Sequence, residues 1–162
     1  MLNNQFVRNI LMAVTLLSTV CLSVSKASGG KESGGIPNPS ASNCSKLKGA
    51  YVSVSSSLGQ EGFCLFGRGY VEAWTLFDVT VGKTSTQATD AFLKHAPEVV
   101  SVSGNPASIY CGKVGGQTVI LTDQKKNEFG VCRFLDKSEI EEWTLFNGPV
   151  ANPKLTKILT GK

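Results

Sequence analysis

Few side chains in this sequence could do chemistry, and the single histidine is the first of them. His95 would need a nucleophile or metal-binding partners beside it to act in catalysis. The alternative is a structural role, because a cationic imidazole is favoured near the C-terminal end of a helix. We expect the structural role, since no second histidine is available to complete a metal site.

Carboxylates are the second candidate. Glu72 and the neighbours Glu141 and Glu142 could supply the two acids of a glycosidase. Such residues more often lie on a solvated helix face, and Glu141 follows Ser138 at the spacing of a helix capping box. The Gly-Gly pairs lack the Lys-Ser/Thr that a phosphate-binding loop requires. We therefore predict no catalytic residue, no cofactor, no metal site and no enzymatic activity.

Five cysteines are a high count for 162 residues. Their spacing lacks the Cys-x-x-Cys pattern of redox enzymes, so structural disulfides are expected. Cys21 lies in an N-terminal segment that we expect to be removed, which leaves an even number, as is usual in exported proteins. Four cysteines can pair in three ways; the four are Cys44, Cys64, Cys111 and Cys132.

The N-terminus resembles a secretory signal. Arg8 precedes an apolar run over 10–24, which is short for a membrane span and suits a signal h-region. Small residues at the −3 and −1 positions predict cleavage after Ala27. The alternatives are a lipoprotein signal that retains Cys21, against which the preceding valine argues, and an uncleaved membrane anchor. We expect a periplasmic or secreted protein.

Charge excludes several partner classes. Cleavage would lower the formal net charge from +4 to +2, and no basic stripe or basic helix remains. Nucleic acid and anionic membranes are therefore poor partners. The mature chain also has no long apolar run, so stable membrane insertion is not expected.

An internal repeat organises the chain after a flexible Gly/Ser/Pro-rich leader over 28–37. Both copies read N-P-x4-C-x4-G, then 12 or 13 residues, G-x-C-x-F, then 7 or 8 residues, and W-T-L-F. Six anchors in the same order indicate duplication. We place the copies at 38–82 and 104–150, joined by a linker over 83–103 and followed by a C-terminal tail over 151–162.

Each copy is predicted to fold as a short helix, a β-hairpin and a final helix or strand. Asn105 suits an N-cap and Pro106 the first helical position. "QTVILT" and "FGVCRF" flank a polar turn, as in a hairpin. The last segment of the second copy is predicted to be a helix in which Ile140, Trp143 and Phe146 share a face, but its counterpart "YVEAWTLFDVTV" could be a strand.

The fold class is therefore α+β, with two tandem small units and one disulfide per unit. Units of this size need a covalent link, a partner copy, or both. The repeat favours pairing within each unit, Cys44 with Cys64 and Cys111 with Cys132. We expect the two Trp-Thr-Leu-Phe segments to pack together and share a core, with these aromatic residues as structural anchors: Trp74, Phe77, Trp143 and Phe146.

The linker is predicted to contain a helix over 85–98. Ala88 and Phe92 fall at helical spacing, and Pro97 would end the helix. We expect Phe92 to be buried against one of the repeats.

The segment "NPASIYCGKVGG…FGVCRF…SEIEEWTLFNG" resembles the DUF333 family of small exported bacterial domains, whose members often carry a hemolysin label. The resemblance covers 104–148, and 38–77 is similar to a diverged second copy. Many members of the family have two further cysteines, one at the position of Ile140 and one near Val150. Both are absent here, and their joint absence implies that they form a disulfide with each other in those members. The resemblance therefore implies that Cys111 pairs with Cys132. The family implies a bacterial envelope address and brings no catalytic residues.

Together these features predict an exported, non-catalytic binding or inhibitor-like module that acts on an envelope protein or peptide. The alternative, which the family label suggests, is a membrane-active protein. The oligomeric state is not indicated by the sequence.

Overall fold

Two copies of one arrangement of helices and strands build the described part of this protein, and a further helix follows them. The computed structural model describes residues 37–56, 59–96 and 103–161. The predicted signal sequence, and nearly all of the leader, lie outside the described residues. The first copy comprises α1 (Pro39–Lys46), β1 (Ala50–Ser56), β2 (Gly59–Phe66), β3 (Gly69–Glu72) and α2 (Ala73–Thr80).

The second copy repeats this order. Helix α3 (Gln87–Leu93) lies between the two copies. The second copy and the helix that follows it comprise α4 (Pro106–Lys113), β4 (Gln117–Asp123), β5 (Glu128–Arg133), β6 (Glu139–Glu141), α5 (Glu142–Ala151) and α6 (Pro153–Thr160).

The first helix of each copy starts as predicted. The side-chain oxygen of Asn105 accepts a hydrogen bond from the backbone N–H of Ala107 at 3.0 Å, and Pro106 follows at the first helical position. Asn38 caps α1 in the same way, accepting from Ser40 N–H at 3.0 Å. An Asn-Pro pair therefore fixes the start of both helices, because it satisfies one free N–H and removes another.

The six strands form one closed barrel in the order β1-β2-β3-β6-β5-β4. Equivalent residues of the two copies meet at both junctions between copies. Val71 of β3 pairs with Ile140 of β6, and Ser55 of β1 pairs with Thr122 of β4. The barrel thus has an approximate two-fold axis, and the described residues form one compact unit. The two repeated units of the prediction are present, but their hairpins are parts of one closed six-stranded barrel, so neither copy has a sheet of its own.

A symmetric pair of hydrogen bonds joins the copies. The Thr75 hydroxyl accepts from the backbone N–H of Glu139 at 2.9 Å, and the Thr144 hydroxyl accepts from that of Tyr70 at 3.0 Å. Both threonines belong to the repeated Trp-Thr-Leu-Phe word. The repeat of this word therefore has a direct structural reason, because the threonine hydroxyl of each copy accepts a hydrogen bond from a strand N–H of the other copy.

The segment before each Trp-Thr-Leu-Phe word is a strand, and the word itself is helical. The helix predicted for the last segment of the second copy is present but begins later than expected, and its capping box from Ser138 is wrong: Ile140 lies in β6, and Glu141 is itself the N-cap of α5. The Ser138 hydroxyl instead accepts from the N–H of Ala88, in the first turn of α3, at 2.9 Å.

The barrel wall separates two apolar clusters. Strand residues alone form the inner cluster, whose buried members are Val54, Phe63, Leu121 and Val131. Helices and the outer faces of the strands form the other cluster, which contains the four disulfide-bonded cysteines. The outer cluster also holds Phe92, fully buried, so the prediction for this residue is confirmed.

The tryptophans do not form the shared core that the repeat suggested. Trp74 and Trp143 are 48% and 45% exposed, and each contacts the phenylalanine of its own word edge-on. Leu76 and Leu145 are the fully buried residues of the two words. In each of these short helices the leucine lies on the buried side and the tryptophan lies on the more exposed side.

Residues beyond 150 are not merely a tail. Helix α6 buries Leu155 completely in the outer cluster. The Asn152 side chain donates to the carbonyls of Thr144 and Gly148 at 3.3 and 2.9 Å. Gly148 has a φ of 66°, where the chain breaks the regular course of α5.

Candidate functional site

The structure gives most of the sequence-predicted residues structural roles. Cys44 of α1 pairs with Cys64 of β2, and Cys111 of α4 with Cys132 of β5, with Cα atoms 5.7 and 5.5 Å apart. The pairing is the one predicted from the repeat. Each bond ties the first helix of a copy to the second strand, and all four sulfur-bearing residues are fully buried.

His95 lies between α3 and α5. Its Nε2 donates to the carbonyl oxygen of Phe146 at 2.6 Å, since a carbonyl can only accept. The ring packs edge-on against Tyr110, with centroids 5.4 Å apart, and lies against Gly148, where an added Cβ would meet it at 2.5 Å. The imidazole therefore holds the linker helix to the second copy.

The three carboxylates considered for catalysis are all buried, but they do different things. Glu72 and Glu141 cap α2 and α5. Glu142 accepts hydrogen bonds from the hydroxyls of Ser108, at 2.8 Å, and Thr118. None of the three lies on a solvated helix face, because each is less than a tenth exposed.

The barrel interior contains a cavity of about 550 Å³, which we treat as the candidate functional site. Volumes of this size are typical of small-ligand sites. It is reached past the β4–β5 turn and runs between β1, β2, β3 and β5. Apolar side chains form most of its wall: Val52, Val54, Phe63, Leu65, Tyr70 and Phe129.

Aromatic rings shape the wall of the cavity. Phe63 and Phe129 meet at 90° with centroids 5.9 Å apart. Alternation along β2 and β5 directs both inward, with Cys64 and Cys132 directed outward to the helices. Tyr70, from β3, also lines the cavity.

Glu141 is the acidic group that lines the cavity from β6. Its carboxylate accepts from the N–H of Trp143 at 2.9 Å, and from the N–H and hydroxyl of Thr144 at 2.7 and 2.8 Å. Burial raises the pKa of Glu141 from its ordinary value, and these hydrogen bonds oppose the rise. The group is thus an oriented, desolvated carboxyl at the edge of an apolar space.

The mouth of the cavity is polar, and hydrogen bonds to Asp123 hold its turn. The Asp123 carboxylate accepts from the N–H groups of Lys125 and Asn127 at 2.7 and 2.9 Å, and from the Asn127 amide at 2.9 Å. The hydrogen bonds of Asn127 lower the pKa of Asp123 from its ordinary value. Lys125 and Glu128 also line the mouth, so both signs of charge are present there.

An ion network occupies the position related to this cavity by the two-fold axis. Arg133 of β5 contacts Glu61 of β2 at 3.0 Å and also Glu139 of β6. These three residues correspond, by the repeat, to Leu65, Phe129 and Tyr70 of the cavity wall. Charged side chains fill one half of the barrel, and apolar ones line the other.

Glu139 is the most perturbed member of the network. Burial raises its pKa to about 7, Arg133 opposes the rise, and Glu61 adds to it. One oxygen of Glu139 and one of Glu61 are buried and have no hydrogen-bond partner among the described residues. Such a group is costly to ionise, which agrees with the direction of the shift.

A family model described as a domain of unknown function, DUF333, matches residues 35–79 and 103–149. The two matches together make up more than half of the chain, and each contains one set of repeated elements. The chain belongs to the DUF333 family. The tandem repeat inferred from the sequence is thereby confirmed, in both copies. Comparison with curated proteins and with solved structures yields no significant match.

Two further findings concern the DUF333 pair. Among residues 37–56, 59–96 and 103–161, no group of three or more His, Cys, Asp or Glu side chains could hold a metal ion. No helix in the described part of the chain has both the length and the apolar character needed to cross a membrane.

Sequence reasoning missed the cavity and the ion network. Glu61, Leu65, Tyr70, Phe129, Arg133 and Glu139 were not singled out as candidates. A signal was nonetheless present, because the two copies differ at these inward positions while the neighbouring cysteines are the same. Comparing the copies position by position along β2 and β5 would have revealed the exchange of charged for apolar residues.

Proposed function

We propose that this DUF333 protein is an exported, non-catalytic binding module whose barrel interior takes one small, largely apolar ligand. The cavity carries this proposal. It combines apolar walls, one oriented carboxyl and a polar mouth, a combination typical of small-ligand sites. The cavity favours a small ligand over the protein or peptide surface expected from the sequence.

Export is supported by the cysteines and by the N-terminal sequence. Two disulfides persist in oxidising compartments such as the bacterial periplasm. The basic residue, apolar run and small residues before Ser28 suit a cleaved signal. N-terminal sequencing of the protein from the envelope should begin at Ser28, whereas a lipid-modified Cys21 at the terminus would contradict this part of the proposal.

The non-catalytic part rests on what the reactive groups contact. His95 donates to a backbone carbonyl, and the cysteines Cys44, Cys64, Cys111 and Cys132 are bonded in pairs. Glu72 and Glu141 are held by helix N–H groups. A general base or nucleophile needs a reacting partner within hydrogen-bond reach, and these groups are already engaged in holding the fold.

Binding can be measured with N-phenyl-1-naphthylamine, an uncharged probe that fluoresces when it leaves water. The mature protein should bind it saturably at one site. Leu65→Trp places an indole in the cavity and should weaken binding roughly tenfold or more, about 1.4 kcal/mol. Ile120→Trp is the matched control, because Ile120 is 57% exposed and does not line the cavity.

Two results would contradict the proposal. One is the absence of saturable binding, and the other is equal weakening by Leu65→Trp and Ile120→Trp. Leakage of phospholipid vesicles caused by the mature protein would instead favour the membrane-active alternative.

A further inference from the structure

Carboxyl groups outnumber basic groups on the inward faces of the barrel strands. Four carboxyl groups lie on the inward faces of β2, β3 and β6, and one guanidinium lies on that of β5. Glu141 lines the cavity itself, and Glu128 and Asp123 lie at its mouth with Lys125. The inward-facing charged residues are Glu61, Glu72, Glu139, Glu141 and Arg133.

Arg133 is not available to a ligand in the cavity. Its Nη2 and Nε atoms are bound to Glu61 and Glu139, in the opposite half of the barrel. The corresponding position in the cavity wall is Leu65, which offers no charge. An anionic ligand would therefore find no cation on the inner wall of the cavity; Lys125 lies only at the mouth, where Asp123 and Glu128 offset its charge.

Glu141 retains capacity for a donor. A carboxylate has about four acceptor positions, and Glu141 uses three, two of them on Oε2. Oε1 accepts from the N–H of Trp143 alone. An N–H group of a ligand could bind at this oxygen without breaking the helix cap.

The aromatic wall favours the same kind of ligand. Phe63, Tyr70 and Phe129 line the cavity, and the faces of such rings attract cations. The rings also supply the apolar contact that a hydrocarbon body requires.

We infer that the cavity selects apolar amines, with the nitrogen directed at Glu141 and the hydrocarbon body against Phe63, Tyr70 and Phe129. This inference rests on the proposed binding function and assigns the chemical class of its ligand.

The test uses two probes that share one ring system. 1-Naphthylmethylamine is a cation at neutral pH, and 1-naphthylacetate is an anion. Isothermal titration of the mature protein should give an affinity for the amine at least about tenfold above that for the acid. Equal affinities, or tighter binding of the acid, would overturn the inference and leave the binding function standing. If neither these probes nor N-phenyl-1-naphthylamine binds, the proposed function itself fails.

A matched pair of variants locates the selectivity. Glu141→Gln should remove most of the preference for the amine. Glu72→Gln is the control, because Glu72 caps α2 with the same three kinds of hydrogen bond and does not line the cavity. Unchanged selectivity in Glu141→Gln, or equal loss in both variants, would contradict the assigned direction of the nitrogen. Should Glu141→Gln not fold, the ratio of the two affinities in the unaltered protein still decides the inference.

Discussion

The two DUF333 copies fill one equivalent space with different side chains. Gly62 and Gly130 occupy the same position in β2 and β5, and neither leaves room for a Cβ atom. The ring of Tyr51, from β1, covers Gly62. The carboxylate of Glu142, from α5, covers Gly130. The glycine is required in both copies, but the group that covers it comes from a different element in each.

The surrounding residues have changed together with this exchange. Tyr51 corresponds to Thr118, and Ala73 corresponds to Glu142. In the second copy the smaller Thr118 leaves the space that Glu142 fills, and its hydroxyl donates to the carboxylate. In the first copy Ala73 is small where Tyr51 is large. The pair conserves volume, as close packing requires.

The inner face shows the same principle with a larger consequence. An ion network of Arg133 and Glu139 from the second copy and Glu61 from the first fills one half of the barrel. At the related positions Leu65, Tyr70 and Phe129 leave a cavity. Shared residues therefore build the scaffold, and the residues that differ leave a cavity in one half of the barrel, which we propose as the binding site.

The largest expected effect tests whether the copies are equally dependent on their disulfides. Replacing Cys44 and Cys64 together by Ala, or Cys111 and Cys132 together, should each lower the free energy of unfolding by about 3 kcal/mol. The closed loops are of nearly equal length, with separations of 20 and 21 residues. Urea unfolding of both variants measures the losses. A difference above about 2 kcal/mol would show that the copies contribute unequally. A peptide joining Cys44 to Cys111 in the non-reduced protein would contradict the pairing.

A second prediction concerns the effect of pH on stability, which we expect to come mainly from the ion network. The folded protein holds the Glu139 proton more tightly than the unfolded chain, because its pKa rises from 4.5 to about 7. The resulting stability is fully present below about pH 4.5 and is lost as pH rises through about 7. The free energy of unfolding should fall on the order of 2 kcal/mol between about pH 5 and pH 8.

Glu139→Gln is the control for this prediction. This variant should lose most of the dependence of the free energy of unfolding on pH. The smaller part that remains is due to Glu72 and Glu141, whose pKa values burial also raises. Urea titrations at several pH values give the measurement. An unchanged slope in Glu139→Gln would mean that the network does not set the pH dependence.

The smallest expected effect concerns the side chains that cover Gly62 and Gly130. Glu142→Ala leaves the hydroxyls of Ser108 and Thr118 without their acceptor and opens space over Gly130, so we expect a loss of about 1–2 kcal/mol. Adding Thr118→Tyr reproduces the arrangement of the first copy and should recover part of the loss. Thermal or urea unfolding measures both. A double variant less stable than the single one would contradict the compensation.

Local signals were sufficient to predict much of this fold. The Asn-Pro caps, the two hairpins, the disulfides and the burial of Phe92 each depend on residues close in sequence or on the repeat. Strand β6 was missed, and β3 was considered only as part of a possible longer strand over 70–81, because both strands are short and pair across the junction between copies. Their formation depends on long-range contacts, which periodicity within one segment does not reveal.

The candidate site was less accessible from sequence than the fold. Glu61, Arg133 and Glu139 are far apart in the chain, and only closure of the barrel brings them together. The cavity requires the same closure. Glu72 and Glu141 were considered as catalytic acids, and their roles as N-caps were missed. Glu is uncommon at an N-cap, and Ser138 suggested an earlier start for the last helix.

The most direct test of the two-fold account is a ¹H–¹⁵N correlation spectrum of the mature protein during titration with 1-naphthylmethylamine. The account predicts that shifts concentrate at Leu65, Tyr70, Phe129 and Glu141, around the cavity. The related positions Arg133, Glu139, Glu61 and Glu72 should shift much less. Equal shifts in both halves, or shifts centred on the ion network, would contradict the claim that the differences between the copies create one binding site.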